Sequence, residues 1–231
     1  MRDFSDSTSL TILLRYDRIV KMIKKEEIMK LIDLTHLLNR RTPHYPGDSP
    51  LELKEVVFDH ITVSEIASSL HSGTHLDVPR HMMLKDAKKV CDYAIQAFMG
   101  KAWVFHLNEH FKMTQLDCVK EGDVVLLRTD YCDRYYHRDY YEQYPALDDV
   151  LIDGLIDKKI KLLGLDTPSP DYAPYLNHQK LFKENIPIVE NLTNLKQLPL
   201  NKSFMFYAVP LKIAAEGSFV RAFAVLEEGE I

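Results

Sequence analysis

Short runs rich in hydrophobic residues, separated by polar residues, recur along the chain from Met29 onward and are typical of β-strands. The clearest run begins with Ile61, Thr62 and Val63, whose alternation predicts a half-buried strand. β-Branched and aromatic residues are frequent in these runs, which favours strands over helices. We predict strands at residues 30–35, 51–57, 61–69, 101–107, 123–129, 160–166, 186–190, 203–213 and 219–227.

Three segments between the strands have the features of helices, and they span residues 91–98, 146–159 and 177–184. The second follows Pro145 and carries Asp148 and Asp149 in its first turn, where the helix dipole favours negative charge. The third begins at Asn177, a suitable N-cap. Because strands outnumber helices and the order is mixed, we predict an α/β (α+β) domain with a mixed β-sheet core and flanking helices.

The first 28 residues are unlike the rest of the chain. Their apolar run at residues 10–14 is too short for the core of a signal peptide. A strand-like pattern starts directly after Met29, so we expect residues 29–231 to form one domain. Residues 1–28 would then be an N-terminal extension that arose from a start codon assigned too far upstream. The alternative is a genuine helix with Ile19, Met22 and Ile23 on its apolar face.

The composition is that of an ordinary globular protein, with 46% hydrophobic and 27% charged residues. A chain of 231 residues can bury a large core, so a metal would be functional rather than structural. The net charge of -5 and the lack of a basic stripe argue against nucleic acid as a partner. No apolar run is long enough to cross a bilayer, so we expect no membrane partner. Three cysteines without a CxxC pair favour free thiols in a reducing, cytoplasmic compartment.

One stretch of eleven residues concentrates metal-binding chemistry. Three of the ten histidines, His71, His75 and His81, lie there together with Asp77. Imidazole and carboxylate groups are the ligands that suit zinc and neighbouring divalent ions. The stretch therefore predicts a metal site, and the alternative is a solvated polar loop.

The backbone of this stretch favours a turn rather than a helix. Gly73 tolerates dihedral angles that other residues avoid, and Pro79 disfavours helical geometry at Val78. We expect a strand ending near residue 69 to lead into a tight turn that aims His71 and the residues after it at one ion.

The same stretch resembles the signature of the cyclase family, His-x-Gly-Thr-His-x-Asp-x-Pro-x-His, and all seven fixed positions are present. This family includes bacterial kynurenine formamidase and isatin hydrolase. The resemblance extends over nearly all of the chain from Met29, through the segments 33–35, 45–48, 164–169, 188–192, 210–213 and 217–222. It implies a swivelling β/β/α fold and a homodimer or homotetramer whose subunits line one another's pockets.

The resemblance also implies one or two divalent ions in each subunit, zinc in the formamidase type, with manganese as the other candidate. His71, His75 and Asp77 would hold the first ion. Asp77 would bridge to a second ion that His178 and Glu190 complete. Glu190 ends an apolar strand, where an unpaired carboxylate is costly, although it could also be a surface strand end. His178 could instead be a solvated residue at the start of its helix.

His81 completes the signature, and the resemblance implies that it transfers protons, for which a pKa near neutrality is suitable. A divalent ion would lower the pKa of water and polarise an amide carbonyl. We therefore expect hydrolysis of a small amide, with N-formylkynurenine as the first candidate, giving kynurenine and formate in tryptophan catabolism. The alternatives are a cyclic amide such as isatin, another small amide, or a metal-binding module without catalysis.

Two further features concern the pocket. Tyr45 stands where the formamidases commonly carry tryptophan, and its ring could stack on an aniline ring of the substrate. The aromatic-rich stretch at residues 131–144 is a candidate for a pocket wall or a subunit contact. Its alternative is an ordinary amphipathic surface.

Overall fold

The computed structural model describes residues 29–82 and 86–226, so the predictions for residues 1–28 lie outside the described residues. The strands are β1 Lys30–Asp33, β2 Glu52–Phe58, β3 Ile61–Ala67, β4 His75–Asp77, β5 Met99–His106, β6 Val124–Arg128, β7 Leu162–Leu165, β8 Ile188–Glu190, β9 Phe204–Pro210 and β10 Gly217–Leu226. The α-helices are α1 Asp149–Asp157 and α2 Leu176–Lys183. Each predicted strand has a counterpart at nearly the predicted position.

Eight of these strands form one mixed sheet in the order β1-β10-β4-β8-β7-β6-β5-β9. The neighbours from β5 to β8 are parallel, and the other pairings are antiparallel. The long β10 pairs with both β4 and β9, so the sheet closes on itself. β1 also pairs with β10. The predicted mixed sheet is therefore confirmed.

The central strands of the sheet, β4, β6, β7 and β8, are buried on both faces. Along β6, Val124 and Leu126 belong to one hydrophobic cluster, and Val125 and Leu127 belong to another. The second cluster includes side chains of both α1 and α2, which cover that face of the sheet. Burial on both faces explains why β6 is a continuous apolar run rather than an alternating one.

Helix α1 lies inside the predicted segment but begins later. Asp148 is its N-cap, and the Asp148 carboxylate accepts a 2.7 Å hydrogen bond from the Val150 N–H. Among residues 29–82 and 86–226, no helix has the length and apolar character needed to cross a membrane.

Two details of the other predicted helices were wrong. Tyr175, not Asn177, is the N-cap of α2, and the Asn177 N–H donates to the Asp171 carboxylate. The segment at residues 91–98 contains two short 3-10 turns instead of an α-helix. Tyr93 and Ala94 between these turns are extended, which interrupts the helical path.

Strands β2 and β3 form a separate two-stranded hairpin. The prediction that the strand beginning at Ile61 is half-buried was wrong, because all seven residues of β3 are exposed. Phe58 and Ile61 at the end of the hairpin are 62% and 57% exposed. The hairpin joins the segment around Asp48 to the turn that contains His71, so it emerges beside the candidate metal site.

Candidate metal centre

Strands β4 and β8 bring two distant parts of the sequence together. Gly73 has a positive φ of 66°, and the chain enters β4 directly after this turn. Since side chains alternate along a strand, His75 and Asp77 lie on the same face. β8 pairs antiparallel with β4, with Glu190 opposite His75. The stretch predicted as one turn is thus a turn followed by a short strand, with Val78 extended ahead of Pro79 as expected.

His71 joins this group from the turn. Its Nδ1 lies 2.8 Å from Oδ1 of Asp77, and its Nε2 lies 3.5 Å from Glu216. Gly217 of β10 pairs with Asp77 and leaves room for both side chains. A Cβ at this position would lie 3.1 Å from Asp77 Oδ1 and 3.1 Å from His71 Cε1, so a larger residue would crowd the group.

His178 joins the group from helix α2. Its Nε2 lies 3.3 Å from Oε1 of Glu190, and its Nδ1 donates a 2.6 Å hydrogen bond to Asp171. The other Asp171 oxygen accepts the N–H of Asn177 in the first turn of α2. Asp171 therefore orients His178, a role that no local sequence pattern predicts. Its one signal was an acidic residue shortly before a helix, which is too common to single it out.

The donor atoms fit a divalent cation. His75 donates from Nδ1 to the Gly73 carbonyl at 2.9 Å, which leaves Nε2 facing Asp77 and Glu190 at 3.5 and 3.4 Å. Metal-binding histidines commonly engage an outer partner in this way. The atoms His75 Nε2, Asp77 Oδ1 and Glu190 Oε1 are buried and make no well-aligned hydrogen bond, although other polar atoms of the group lie 2.8 to 3.5 Å from them. Since buried polar atoms are almost always paired, their convergence indicates a place for a bound ion.

The donors form two groups, each with its atoms within 4.8 Å of one another. His71, Asp77 and His81 form the first group, and His75, Asp77 and Glu190 form the second. Asp77 belongs to both, which agrees with the bridging position that the family resemblance implies. The resemblance pairs His71 with His75, whereas the geometry places His71 nearer to His81. The assignment of each residue to an ion stays a prediction.

The carboxylates of the centre stabilise positive charge on the histidines beside them. Burial acts to lower the pKa of His75, but Asp77 and Glu190 outweigh it and hold that pKa well above its usual value. Burial also opposes protonation of His178, whose carboxylate neighbours Asp171 and Glu190 raise its pKa to about 9. The carboxylates thus attract protons when no cation is bound, and a cation would replace those protons.

His81 ends the short 3-10 turn that begins at Pro79. Its ring centroid lies 4.2 Å from that of His71 and 6.1 Å from that of His178. Burial lowers the pKa of His81 despite the nearby Asp77. The neutral imidazole is therefore favoured near pH 7, and a neutral imidazole can accept a proton.

A cavity of about 200 Å³ lies over these donors. Its lining also includes three aromatic residues, Tyr45, Tyr141 and Tyr175. The hydroxyl groups of Tyr45 and Tyr175 are hydrogen-bonded at 2.8 Å, and Tyr141 meets Tyr45 edge-on. A cavity of roughly 150 Å³ can hold benzene, so this one has room for a small aromatic ring. Tyr45 therefore lines the cavity over the donors, and its role in binding a substrate stays a prediction.

The aromatic-rich stretch at residues 131–144 has two parts. Tyr131, Tyr135, Tyr140 and Tyr144 form a buried cluster inside the subunit, so these four rings are not a subunit contact. Tyr141 packs against the cluster and lines the cavity, as expected of a pocket wall.

Comparisons with known proteins agree with this chemistry. A kynurenine formamidase of Bacillus cereus is 31% identical over 204 residues, covering 83% of this chain and 95% of that protein. An uncharacterized protein of Methanocaldococcus jannaschii is 34% identical over 201 residues, covering 86% and 100%. The solved structure of isatin hydrolase A from Labrenzia aggregata bound to benzyl benzoate has a TM-score of 0.76 and 25% identity, covering 93% of this chain and 100% of that one.

The family model named Cyclase matches residues 32–172, which is more than half of the chain. This range contains the turn and β4 with the three clustered histidines, and it ends shortly before α2. The fold, the donor set and the relatives lead to one assignment. The chain belongs to the cyclase family of metal-dependent hydrolases.

Proposed function

We propose that this protein is an arylformamidase, which hydrolyses N-formylkynurenine to kynurenine and formate in tryptophan catabolism. One observation carries the proposal: buried atoms of His75, Asp77 and Glu190 that lack well-aligned hydrogen bonds converge at a cavity that is also lined by three tyrosines. The similarity to a kynurenine formamidase over most of both chains supports the choice of substrate.

The metal is proposed to be zinc, with one or two ions in each subunit and manganese as the other candidate. His71, His75, Asp77, His178 and Glu190 would hold it, since their nitrogen and oxygen donors are those that zinc prefers. When bound, such an ion polarises an amide carbonyl and lowers the pKa of water.

His81 is proposed to move the proton that amide hydrolysis requires. Its ring lies in the cavity wall beside His71, and burial lowers its pKa, so that it can accept a proton near neutral pH. It would then deliver the proton to the leaving nitrogen. Tyr45 would hold the aromatic ring of the substrate, together with its hydrogen-bonded partner Tyr175.

A second candidate function is hydrolysis of a cyclic aromatic amide such as isatin. The structural similarity to isatin hydrolase A supports this candidate. A flat bicyclic amide would use the same three tyrosines and the same carbonyl position over the donors. The two candidates therefore differ in substrate, not in the proposed residues.

Metal removal and a substrate panel test these proposals. The protein would be stripped with a chelator, reloaded with zinc or manganese, and assayed on N-formylkynurenine, formanilide and isatin. We expect the stripped protein to be inactive and zinc to restore hydrolysis, with N-formylkynurenine the best substrate. Faster hydrolysis of isatin would favour the second candidate. Tight metal binding without turnover of any of the three would favour a binding module.

We also propose that the protein is cytoplasmic and forms a homodimer or homotetramer through the β2–β3 hairpin. Cys91, Cys118 and Cys132 are free thiols, which suit a reducing compartment such as the cytoplasm.

The proposed subunit contact rests on the exposure of the hairpin. An isolated two-stranded hairpin is marginally stable in water, yet this one exposes Phe58 and Ile61. A second copy seated on it would cover these side chains and lie beside the cavity.

A double variant, Phe58→Ser with Ile61→Ser, tests this contact. We expect a smaller particle in analytical ultracentrifugation, because two apolar side chains of the proposed interface are lost. Val150→Ser is the matched control, since Val150 is an apolar residue that is 66% exposed on α1 rather than on the hairpin. A wild-type monomer at every concentration, or a double variant with the wild-type mass, would contradict the proposal.

A further inference from the structure

Asn191 directly follows Glu190 and is completely buried, with a left-handed backbone at φ 57°. Asparagine is among the residues that adopt this conformation most readily. We propose that Asn191 is a positioning residue for the metal centre: together with Tyr140 it holds the Gly73 carbonyl, and through that carbonyl it fixes the ring of His75. The inference rests on the proposed metal-dependent function.

The first link is the amide nitrogen of Asn191. Its Nδ2 donates a 3.0 Å hydrogen bond to the Gly73 carbonyl oxygen. The same oxygen accepts the 2.9 Å hydrogen bond from Nδ1 of His75. The position of this carbonyl therefore sets both the tautomer and the direction of the His75 ring. With Nδ1 occupied in this way, Nε2 is the nitrogen that faces Asp77 and Glu190.

The second link is the backbone of Asn191. Its carbonyl accepts a 2.6 Å hydrogen bond from the Thr74 hydroxyl, and its N–H donates to Thr167 at 3.0 Å. The chain after β8 is thereby tied to the turn before β4. Because Asn191 adjoins Glu190 and Thr74 adjoins His75, these bonds hold the two opposed donors in register.

The third link is the amide oxygen, which accepts a 2.7 Å hydrogen bond from the Tyr140 hydroxyl. A hydroxyl donor on this side keeps the oxygen toward Tyr140 and the NH₂ group toward Gly73. Tyr140 is completely buried and meets the ring of Tyr141, which lines the cavity. The network thus runs from the pocket wall to the metal centre with each of its polar groups paired, the condition under which buried networks are rigid.

The test uses two variants and a matched control. Asn191→Gly keeps a residue that tolerates the left-handed backbone and removes the amide, whereas Tyr140→Phe removes only the hydroxyl. Tyr131→Phe is the control, because Tyr131 belongs to the same buried cluster but its hydroxyl donates at 2.8 Å to the Tyr140 carbonyl rather than to Asn191. Each protein would be stripped, and its affinity for zinc measured by competition with a chelator. Melting temperatures would be recorded with and without zinc.

We expect Asn191→Gly to bind zinc roughly 10–100-fold more weakly and Tyr140→Phe roughly tenfold more weakly, as for other outer partners of metal ligands. Tyr131→Phe should bind zinc as the wild type does. A merely structural role would lower the melting temperature of stripped and loaded forms alike. If Asn191 positions a metal ligand, the variants should show a smaller rise in melting temperature on zinc binding than the wild type, since stabilisation by a ligand depends on its affinity.

The outcomes separate this inference from the proposed function. A wild-type protein that takes up no zinc or manganese would overturn both. A wild-type protein that binds zinc, with variants of unchanged affinity, would overturn the role of Asn191 alone. If Asn191→Gly fails to fold, Tyr140→Phe still decides the question, because it changes a single oxygen atom and leaves the asparagine in place.

Discussion

Replacing Asp77 with asparagine should abolish tight metal binding and reduce amide hydrolysis by on the order of 10³-fold or more. Asp77 belongs to both donor groups and is only 1% exposed. Burial disfavours its negative charge, yet the surrounding histidines hold its pKa well below its usual range. Asparagine has nearly the same size but no charge, so the change removes the counter-charge of the centre while preserving its shape.

The measurement is metal content by elemental analysis, combined with turnover of N-formylkynurenine or formanilide. Asp123→Asn is the matched control, because Asp123 is also a buried carboxylate but accepts hydrogen bonds from Trp103 and Lys120. This control should keep both metal and activity. An Asp77→Asn protein with a full metal load and wild-type turnover would exclude the proposed centre.

Replacing His81 with glutamine should lower turnover by roughly 10²–10⁴-fold, the usual contribution of general acid–base catalysis, and leave metal content unchanged. His81 lines the cavity, and its lowered pKa suits a proton acceptor rather than a permanent cation. Glutamine fills a similar volume and keeps hydrogen-bonding capacity, but it cannot carry a proton at neutral pH. The loss should therefore appear in kcat more than in KM.

His106→Gln is the control for this prediction, since His106 pairs with Asp130 outside the cavity. Elemental analysis of the His81 variant also decides between two roles of His81, that of a proton carrier and that of a metal ligand. Retained metal would support a proton carrier. Loss of metal would show that His81 is a ligand, as its grouping with His71 and Asp77 allows.

The strands and the candidate metal-binding stretch were predictable because they depend on local properties. Alternation and β-branched content reflect the preferences of a few neighbouring residues, and each predicted strand is present. The density of histidines around Asp77 is equally local. The prediction of secondary structure failed where the local preference for one backbone conformation is weak, as in the helix predicted at residues 91–98, where Tyr93 and Ala94 are extended.

The hairpin shows why alternation does not establish burial. The residues of β3 alternate in polarity as a half-buried strand would, but the strand pairs with β2 alone and is exposed throughout. Periodicity describes the two faces of a strand. Whether either face is covered depends on which distant segment packs there, and that information is not contained in the run itself.

The sequence by itself determined which residues form one half of the candidate centre, because His71, His75, Asp77 and His81 are close along the chain and of the types that bind metal. The second half, with Glu190, was proposed through family resemblance rather than through local pattern. The tertiary structure decided how the halves meet. Antiparallel pairing of β4 with β8 places Glu190 opposite His75, although the two are 115 residues apart in the chain.

The supporting residues were decided by the tertiary structure in the same way. Asp171 is recognisable only when its contact with His178 is known, and Asn191 only when its hydrogen bonds to Gly73 and Tyr140 are known. The physical reason is the range of the interactions involved. Dihedral preference and side-chain alternation act over a few residues, whereas the orientation of a metal ligand depends on strand pairing and buried hydrogen bonds between segments that only folding brings together.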